Sequence, residues 1–93
     1  MRCLVFLSTL LLGAAIAHAD TASDLEPLLE QSAAYLDGEN VPAAQAIQSQ
    51  RELHRRYPSL DPQQRDAFAQ RLDNGLYDAA PGMRVAAGRT LAT

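Results

Sequence analysis

The sequence predicts an all-α fold, and three observations lead to this prediction. Apolar residues recur at helical rather than alternating spacing in each segment after residue 20. A capping residue, a proline or a glycine bounds each of these segments. In the corner Tyr57-Pro58-Ser59-Leu60-Asp61-Pro62, the first proline ends one helix and Asp-Pro starts the next. We therefore expect a small helical hairpin or bundle of three helices plus a weaker, short C-terminal fourth.

Residues 1–19 have the pattern of a secretory signal peptide. A short basic start precedes an almost uninterrupted apolar run at residues 3–16, and Ala17-His18-Ala19 is a small-x-small ending. A membrane anchor needs roughly 20 apolar residues, and this run is shorter. A lipoprotein would need a cysteine after the run, whereas Cys3 lies at its start. We expect cleavage after Ala19, no stable membrane anchor afterwards, and a periplasmic or secreted protein.

Residues 20–93 are expected to form a single acidic domain. Removal of residues 1–19 takes away Arg2 and none of the eleven acidic residues, which leaves a formal net charge of −4 in 74 residues. No cysteine remains, so disulfides and thiol chemistry are excluded. A chain of this size buries only about 60% of its unfolded surface, so association with itself or with a partner would add stability. Its basic residues are all arginine, which indicates a GC-rich bacterial genome.

The first helix is expected from Leu25 to Asp37, with Ser23 or Asp24 as its N-cap and Gly38 as its stop. Pro27 then falls in the first turn, where no helical N–H bond is lost. Helical spacing places six residues on the inner face: Leu25, Leu28, Leu29, Ser32, Tyr35 and Leu36.

The second helix is expected to open at Asn40-Val41-Pro42 and to reach Tyr57. Its inner face comprises Ala43, Ala46, Ile47, Leu53 and Tyr57, with Gln50 and His54 in the middle of it. We expect Gln50 to be a buried polar residue, and His54 to be either buried and bonded to a neighbour or placed at an interface. His54 as a ligand or proton-transfer residue would need partners, and residues 20–93 contain no other histidine and no cysteine. We therefore predict no catalytic residue, no metal and no cofactor.

The third helix has a strong start signal, with Asp61 as N-cap, Pro62 at the first position and Gln64 at the third. It is expected to end at Asn74-Gly75. Its inner stripe is narrow and consists of Phe68, Ala69, Leu72 and Leu76, with Arg65 in the same sector. Replacing a core residue by alanine, at Leu29, Ile47 or Phe68, should cost about 2–5 kcal/mol each.

The fourth helix has the weakest helix signals in the sequence. Asp78 is a candidate cap, and Pro81 lies in the first turn. Gly82 and Gly88 each weaken the helix by about 1 kcal/mol, so fraying within residues 76–93 is expected. The inward-facing residues are Met83, Ala86, Ala87, Thr90 and Leu91.

The start of the third helix, Leu60-Asp61-Pro62-Gln63-Gln64, resembles the Leu-Thr-x-x-Gln motif of the Spy/CpxP periplasmic chaperones, which are exported helical proteins. Aspartate stands here where that family has threonine, and the motif occurs once in a chain shorter than theirs. Any helix that opens with a capping box can produce such a pattern. The resemblance favours a binding protein without assigning the family.

Two charged surfaces are candidate partner-binding sites. An acidic one comprises Glu26, Glu30, Asp37 and Glu39, and a basic one comprises Arg51, Arg55 and Arg56 near the end of the second helix. Glu52 precedes Arg56 by four residues, the favourable order for a surface ion pair. Three arginines in an acidic exported chain do not indicate nucleic-acid binding.

The function predicted from these observations is binding. The sequence has no glycine-rich phosphate loop, Gly-x-Ser-x-Gly elbow or histidine cluster. We expect a small exported, non-enzymatic helical protein that acts on a protein partner in the bacterial envelope, such as an inhibitor, immunity or chaperone-like module. The alternative is a self-associating structural component of the envelope, which a wide exposed apolar face would favour. A small helical enzyme that uses arginines and carboxylates ranks third.

Overall fold

The computed structural model describes residues 20–93, so the expected signal peptide at residues 1–19 lies outside the described residues. Residues 20–93 form four α-helices and no strand, which confirms the all-α prediction. In this range no helix has both the length and the hydropathy needed to cross a membrane. The helices are α1 (Ala22–Leu36), α2 (Ala43–Arg56), α3 (Pro62–Gly75) and α4 (Pro81–Leu91), with a 3-10 turn at Tyr57–Ser59 between α2 and α3.

Helix α1 is the centre of the fold. Both α2 and α4 pack along it and hardly touch each other, whereas α3 packs mainly on α4. The ring of Tyr57 lies against that of Phe68 at a centroid distance of 5.8 Å, so the corner after α2 is joined to the core. The buried apolar cluster comprises Leu25, Leu29, Ala33, Leu53, Leu60, Phe68, Leu72, Met83, Ala86 and Ala87.

Helix α1 begins earlier than predicted. Its N-cap is Thr21, and the backbone N–H of Thr21 donates to Asp24 Oδ2 at 2.9 Å, so Asp24 serves at the third helical position rather than as the cap. Pro27 therefore lies inside the helix and not in its first turn. The predicted stop is confirmed, because Gly38 adopts a φ of 83°, in the left-handed region that glycine tolerates.

The corner between α2 and α3 forms as predicted. Helix α2 ends at Arg56, one residue before the expected Tyr57, and the 3-10 turn that follows contains Pro58. Asp61 caps α3, where its Oδ1 accepts the backbone N–H of Gln64 at 3.0 Å, and Pro62 is the first helical residue.

Helix α4 is regular from Pro81 to Leu91, and four of the five residues expected to face inward are buried. Its N-cap is Ala80 and not Asp78, although Asp78 Oδ1 accepts the N–H of Ala80 at 2.9 Å. A carboxylate from α1 also caps it, since Asp37 Oδ1 accepts the N–H of Gly82 at 2.7 Å. A Cβ at Gly82 would collide with the carbonyl oxygen of Ala33. The glycine expected to weaken α4 is thus what lets it lie against α1.

The predicted inner faces were wrong at the end of α1 and at part of α2, where Ala46 and Leu53 are buried as expected but other members are not. Tyr35 and Leu36 are 40% and 36% exposed, Ile47 is 53% exposed, and Ala43 and His54 are exposed as well. The physical reason is the spread of the helices. Since α2 and α4 pack on different sides of α1, no helix of residues 20–93 covers the space between them.

Candidate binding groove

A groove lies over the second half of α1, between α2 and α4, and encloses about 410 Å³. This volume is within the range of roughly 300–1,000 Å³ that is usual for ligand sites. Three helices contribute to it. The residues that line the groove are Ser32, Tyr35 and Leu36 from α1, Ala46, Ile47, Gln50, Arg51 and His54 from α2, and Arg89 from α4.

The walls of the groove are mainly apolar. Tyr35 and Leu36 come from the last turn of α1, while Ala46 and Ile47 come from α2. Single exposed apolar side chains are ordinary on a protein surface. Here three of the five large exposed apolar side chains within residues 20–93, namely Tyr35, Leu36 and Ile47, meet in one concavity. Such convergence is typical of a surface that binds another molecule.

The floor of the groove is a hydrogen-bonded chain centred on Gln50. The hydroxyl of Ser32 donates to Gln50 Oε1 at 2.7 Å, and Gln50 Nε2 donates to Thr90 Oγ1 at 3.2 Å. The hydroxyl of Thr90 in turn donates to the carbonyl of Ala86 at 2.9 Å. Gln50 therefore joins α1, α2 and α4. This half-buried residue was predicted to be a buried polar group, and its role is to hold the floor together.

A second bond of the same kind lies beside it. The hydroxyl of Ser49 donates to Gln31 Oε1, so Gln31-Ser32 on α1 faces Ser49-Gln50 on α2 with the two residue types exchanged. The sequence signal was present as a Gln-Ser dipeptide and its reverse, but spacing alone does not show which serine meets which glutamine.

The rim of the groove is cationic. Arg51 and Arg89 approach it from α2 and α4, and neither has a carboxylate within 4.0 Å among residues 20–93. The other two members of the predicted basic cluster are engaged, because Arg55 and Arg56 bind Glu52 at 2.6 and 3.0 Å. The Arg55 guanidinium lowers the pKa of the Glu52 carboxyl, and the same hydrogen bond raises the pKa of Arg55. Only Arg51 of the cluster faces the groove with its charge free.

His54 lies at the same rim and is exposed, so the expectation of a buried histidine was wrong, while its placement at an interface stays a prediction. It follows Ile47 and Arg51 at helical spacing, and these three side chains therefore form one row along α2. No group of three or more histidine, cysteine or acidic residues within residues 20–93 is placed to hold a metal ion.

The acidic surface lies on the opposite side of α1. Glu30, Asp37 and Glu39 border a depression of about 320 Å³. Asp78 also borders it, although it was not among the acidic residues predicted for this surface. Hereafter we call this surface the acidic depression. Positions 30, 33, 34 and 37 of α1 face it, whereas positions 32, 35 and 36 face the groove, so the two surfaces occupy opposite faces of one helix.

Glu26, the fourth predicted acidic residue, stands apart from that depression. Its carboxylate accepts two hydrogen bonds from Arg71 Nε, at 2.9 and 3.0 Å, and a third from Arg71 Nη2 at 2.9 Å. These contacts raise the pKa of Arg71. Glu26, which was predicted as part of a partner-binding surface, thus joins α1 to α3 and serves the fold.

The groove can bind an apolar surface and attract negative charge at its rim. Its walls supply contact area, its floor is held by bonds between the helices, and Arg51 and Arg89 supply positive charge on both sides. No protein-family model, curated protein or solved structure matches this chain.

Proposed function

We propose that this chain is a small exported helical binding protein that acts on a protein partner in the bacterial envelope, as an inhibitor, immunity or chaperone-like module, and that it works by binding rather than by catalysis. One observation carries the proposal: Tyr35, Leu36 and Ile47 expose their apolar surface in the same groove. A partner that covers these side chains gains hydrophobic contact and adds stability to a domain with a small core.

Export rests on the pattern of residues 1–19, with cleavage after Ala19. The fold is compatible with this cut. The N-cap of α1 is Thr21, so a mature chain that starts at Asp20 keeps every helix and the cap of the first one. Intact-mass analysis of the envelope fraction should give the mass of residues 20–93. A product that retains residues 1–19, or one found only in the cytoplasm, would contradict export.

A stable protein interface covers about 800 Å² on each partner, which is more than the walls of the groove. We place the groove at the centre of the interface, with the neighbouring part of α2 at its edge. Arg55 and Arg56 lie on that part of α2, outside the groove, and both are paired with Glu52. Apolar anchors in the centre and charged groups at the edge match the usual anatomy of such interfaces.

The test is site-specific photo-crosslinking of the full chain in its own cells. A photoreactive amino acid replaces Ile47 in the groove, and the control replaces Asp66, which is exposed on α3 and does not line the groove. We expect a discrete protein adduct at position 47 that is absent at position 66. The same pattern of adducts at both positions, or none at either, would refute the proposal. An adduct of twice the mass of the chain would favour the self-associating envelope component instead.

The acidic depression is tested separately. Reversal of Glu26 is a poor choice because it would break the contact with Arg71. Glu30 and Glu39 are exposed and form no ion pair within residues 20–93, so their replacement by lysine leaves the fold intact. If the crosslinked partner is still captured by this folded double variant, the acidic depression is not part of the interface.

A further inference from the structure

We infer that the segment of the partner that occupies the groove is an amphipathic helix with acidic residues on both sides of its apolar face. This inference rests on the proposed function and adds to it the chemistry of the bound segment. It follows from three features of the groove, which are its shape, the distribution of its charges and the contact that those charges disfavour.

The shape of the groove fits a helix. Helices α2 and α4 both pack on α1 and hardly touch each other, so the space between them has a helix on either side and a third as its floor. Along α2 the lining extends from Ala46 to His54, about 12 Å or two helical turns. A helix seated there can place two or three apolar side chains at i, i+3 or i+4 and i+7 against Tyr35, Leu36 and Ile47. The incoming helix would complete the packing around α1.

The charges at the rim of the groove determine which residue types can flank the apolar face of the bound helix. Arg51 and Arg89 lie on opposite walls, and no carboxylate of residues 20–93 is within 4.0 Å of either. A bound helix therefore meets cations on both sides of its apolar stripe. Glutamate or aspartate at these positions is attracted, and lysine or arginine is repelled.

The same charges disfavour a second copy of this chain as the occupant. A two-fold contact between grooves would bring each surface against itself, so that Arg51 and Arg89 of one copy would face the same two residues of the other. Such a like-charge arrangement is costly at a partly desolvated contact. A partner with acidic flanks has no such conflict.

The experiment is a selection from a library of random 15-residue peptides displayed on phage. One arm uses the purified wild-type protein, and the second uses the double variant Arg51→Glu, Arg89→Glu. Arg65→Glu is the matched control, because Arg65 is exposed on α3 and has no ion pair within residues 20–93. We expect the wild type and the control to enrich peptides with apolar residues at helical spacing and acidic flanks. The double variant should enrich basic flanks.

The enriched peptide is then synthesised, and its affinity is measured by fluorescence anisotropy. Arg51→Glu with Arg89→Glu should weaken binding by about tenfold or more, and raising the salt concentration should weaken binding to the wild type. Ile47→Ser should also weaken binding by about tenfold through loss of apolar contact. Arg65→Glu should leave affinity within about twofold. Far-ultraviolet circular dichroism confirms that each variant is folded and reports helix formation by the bound peptide.

Three results would overturn the inference: no enrichment, enrichment without acidic residues, or the same enrichment in the double variant. Binding to phosphatidylglycerol vesicles that depends on Arg51 and Arg89, without peptide enrichment, would also overturn it and assign the groove to a lipid surface. A failure of this inference can be distinguished from a failure of the proposed function. Crosslinking at Ile47 can yield a protein partner whose contacting segment is not acidic, which leaves the proposed function standing and refutes only the inference.

Discussion

The two sides of the second half of α1 use their charges in different ways. On the acidic depression, Asp37 accepts a hydrogen bond from the backbone of α4, and Gly82 brings α4 into close contact with α1. On the groove side, Arg51 and Arg89 have no ion-pair partner within residues 20–93, and the helices are joined underneath by Gln50. On the acidic side Asp37 is committed to the fold, while Glu30 and Glu39 have no ion pair within residues 20–93. On the groove side both arginines are unpaired and lie beside exposed apolar side chains.

This difference shows why formal charge alone is a weak guide to a binding surface. The chain is acidic overall, and its carboxylates were therefore predicted to form a binding surface. In the structure Glu26 binds Arg71 and Asp37 caps α4, so half of the predicted acidic set stabilises the fold. Arg51 and Arg89, which have no ion pair within residues 20–93, lie beside exposed apolar side chains. Free charge next to uncovered apolar surface is a better indicator of binding than the sign of the net charge.

The largest expected effect is on the acidic side, at Gly82. Gly82→Ala places a Cβ against the carbonyl of Ala33 and the side chain of Asp37, so α4 must shift away from α1. We expect a loss of about 3 kcal/mol in the free energy of unfolding, measured by urea denaturation. Gly88→Ala is the matched control on the same helix. A Cβ there would make only an ordinary contact at 3.6 Å, so this variant should gain about 0.5–1 kcal/mol. Equal effects of the two variants would show that helix propensity, and not the close contact, decides the result.

The next effect is on the groove side, at Gln50. Gln50→Leu removes the acceptor for the buried hydroxyl of Ser32 and the donor to Thr90. The expected loss is about 2 kcal/mol in the free energy of unfolding, because a buried polar group is left without its partner. Gln48→Leu, at an exposed position of the same helix, should stay within about 0.5 kcal/mol of the wild type. A Gln50→Leu variant as stable as the control would mean that the floor does not hold the three helices together.

Asp37 should show a smaller effect. Asp37→Ala removes the side-chain cap of α4, and by analogy with other caps it should cost about 1 kcal/mol in thermal or urea unfolding. Glu39→Ala borders the same depression without a side-chain hydrogen bond within the described chain, and it should be nearly neutral. Comparing the two variants distinguishes a carboxylate that stabilises the fold from one that does not, on the same surface. If both variants lost the same stability, the assigned role of Asp37 would be wrong.

Ile47 should show the smallest effect on stability. Its place on a helical stripe predicted a cost of about 2–5 kcal/mol for Ile47→Ala, but the side chain is 53% exposed. We now expect less than about 0.5 kcal/mol. Leu53→Ala, at a fully buried position on the same helix, serves as the reference and should cost about 2–5 kcal/mol. A large loss of stability in Ile47→Ala would show that the groove is closed in solution.

The sequence predicted the helices better than the surfaces. Local signals sufficed for the corner at Asp61-Pro62 and for the stop at Gly38, because a cap and a left-handed glycine act within a few residues. The start of α1 was missed by three residues because the N-cap is Thr21, two residues before Ser23, the earlier of the two predicted caps. Thr21, Ser23 and Asp24 are all residue types that cap helices, and they lie within four residues, so the residue types alone do not select the cap.

The candidate site was only partly predictable. Arg51, Gln50 and His54 were identified from α2, but Arg89 was not, because its approach depends on how α4 packs on α1. Spacing gives the face of a helix and not whether another helix covers it, which is why the inner stripe of α2 included the exposed Ile47. The cap that Asp37 provides for α4 joins residues 45 positions apart, beyond any local pattern.

Pro27 has a consequence for how α1 opens. Proline has no amide hydrogen, so the carbonyl of Ser23 receives no helical bond from it, and the first turn of α1 is tied less firmly to the rest of that helix. That turn is instead held by α3, through Arg71 on Glu26 and through Gln64 Oε1, which accepts the N–H of Ala22 at 2.9 Å. In native-state hydrogen exchange, the amides in the first turn of α1 should therefore exchange faster than those in its second half, which α2 and α4 cover. The missing bond at Pro27 is expected to give one continuous helix a labile start and a stable second half.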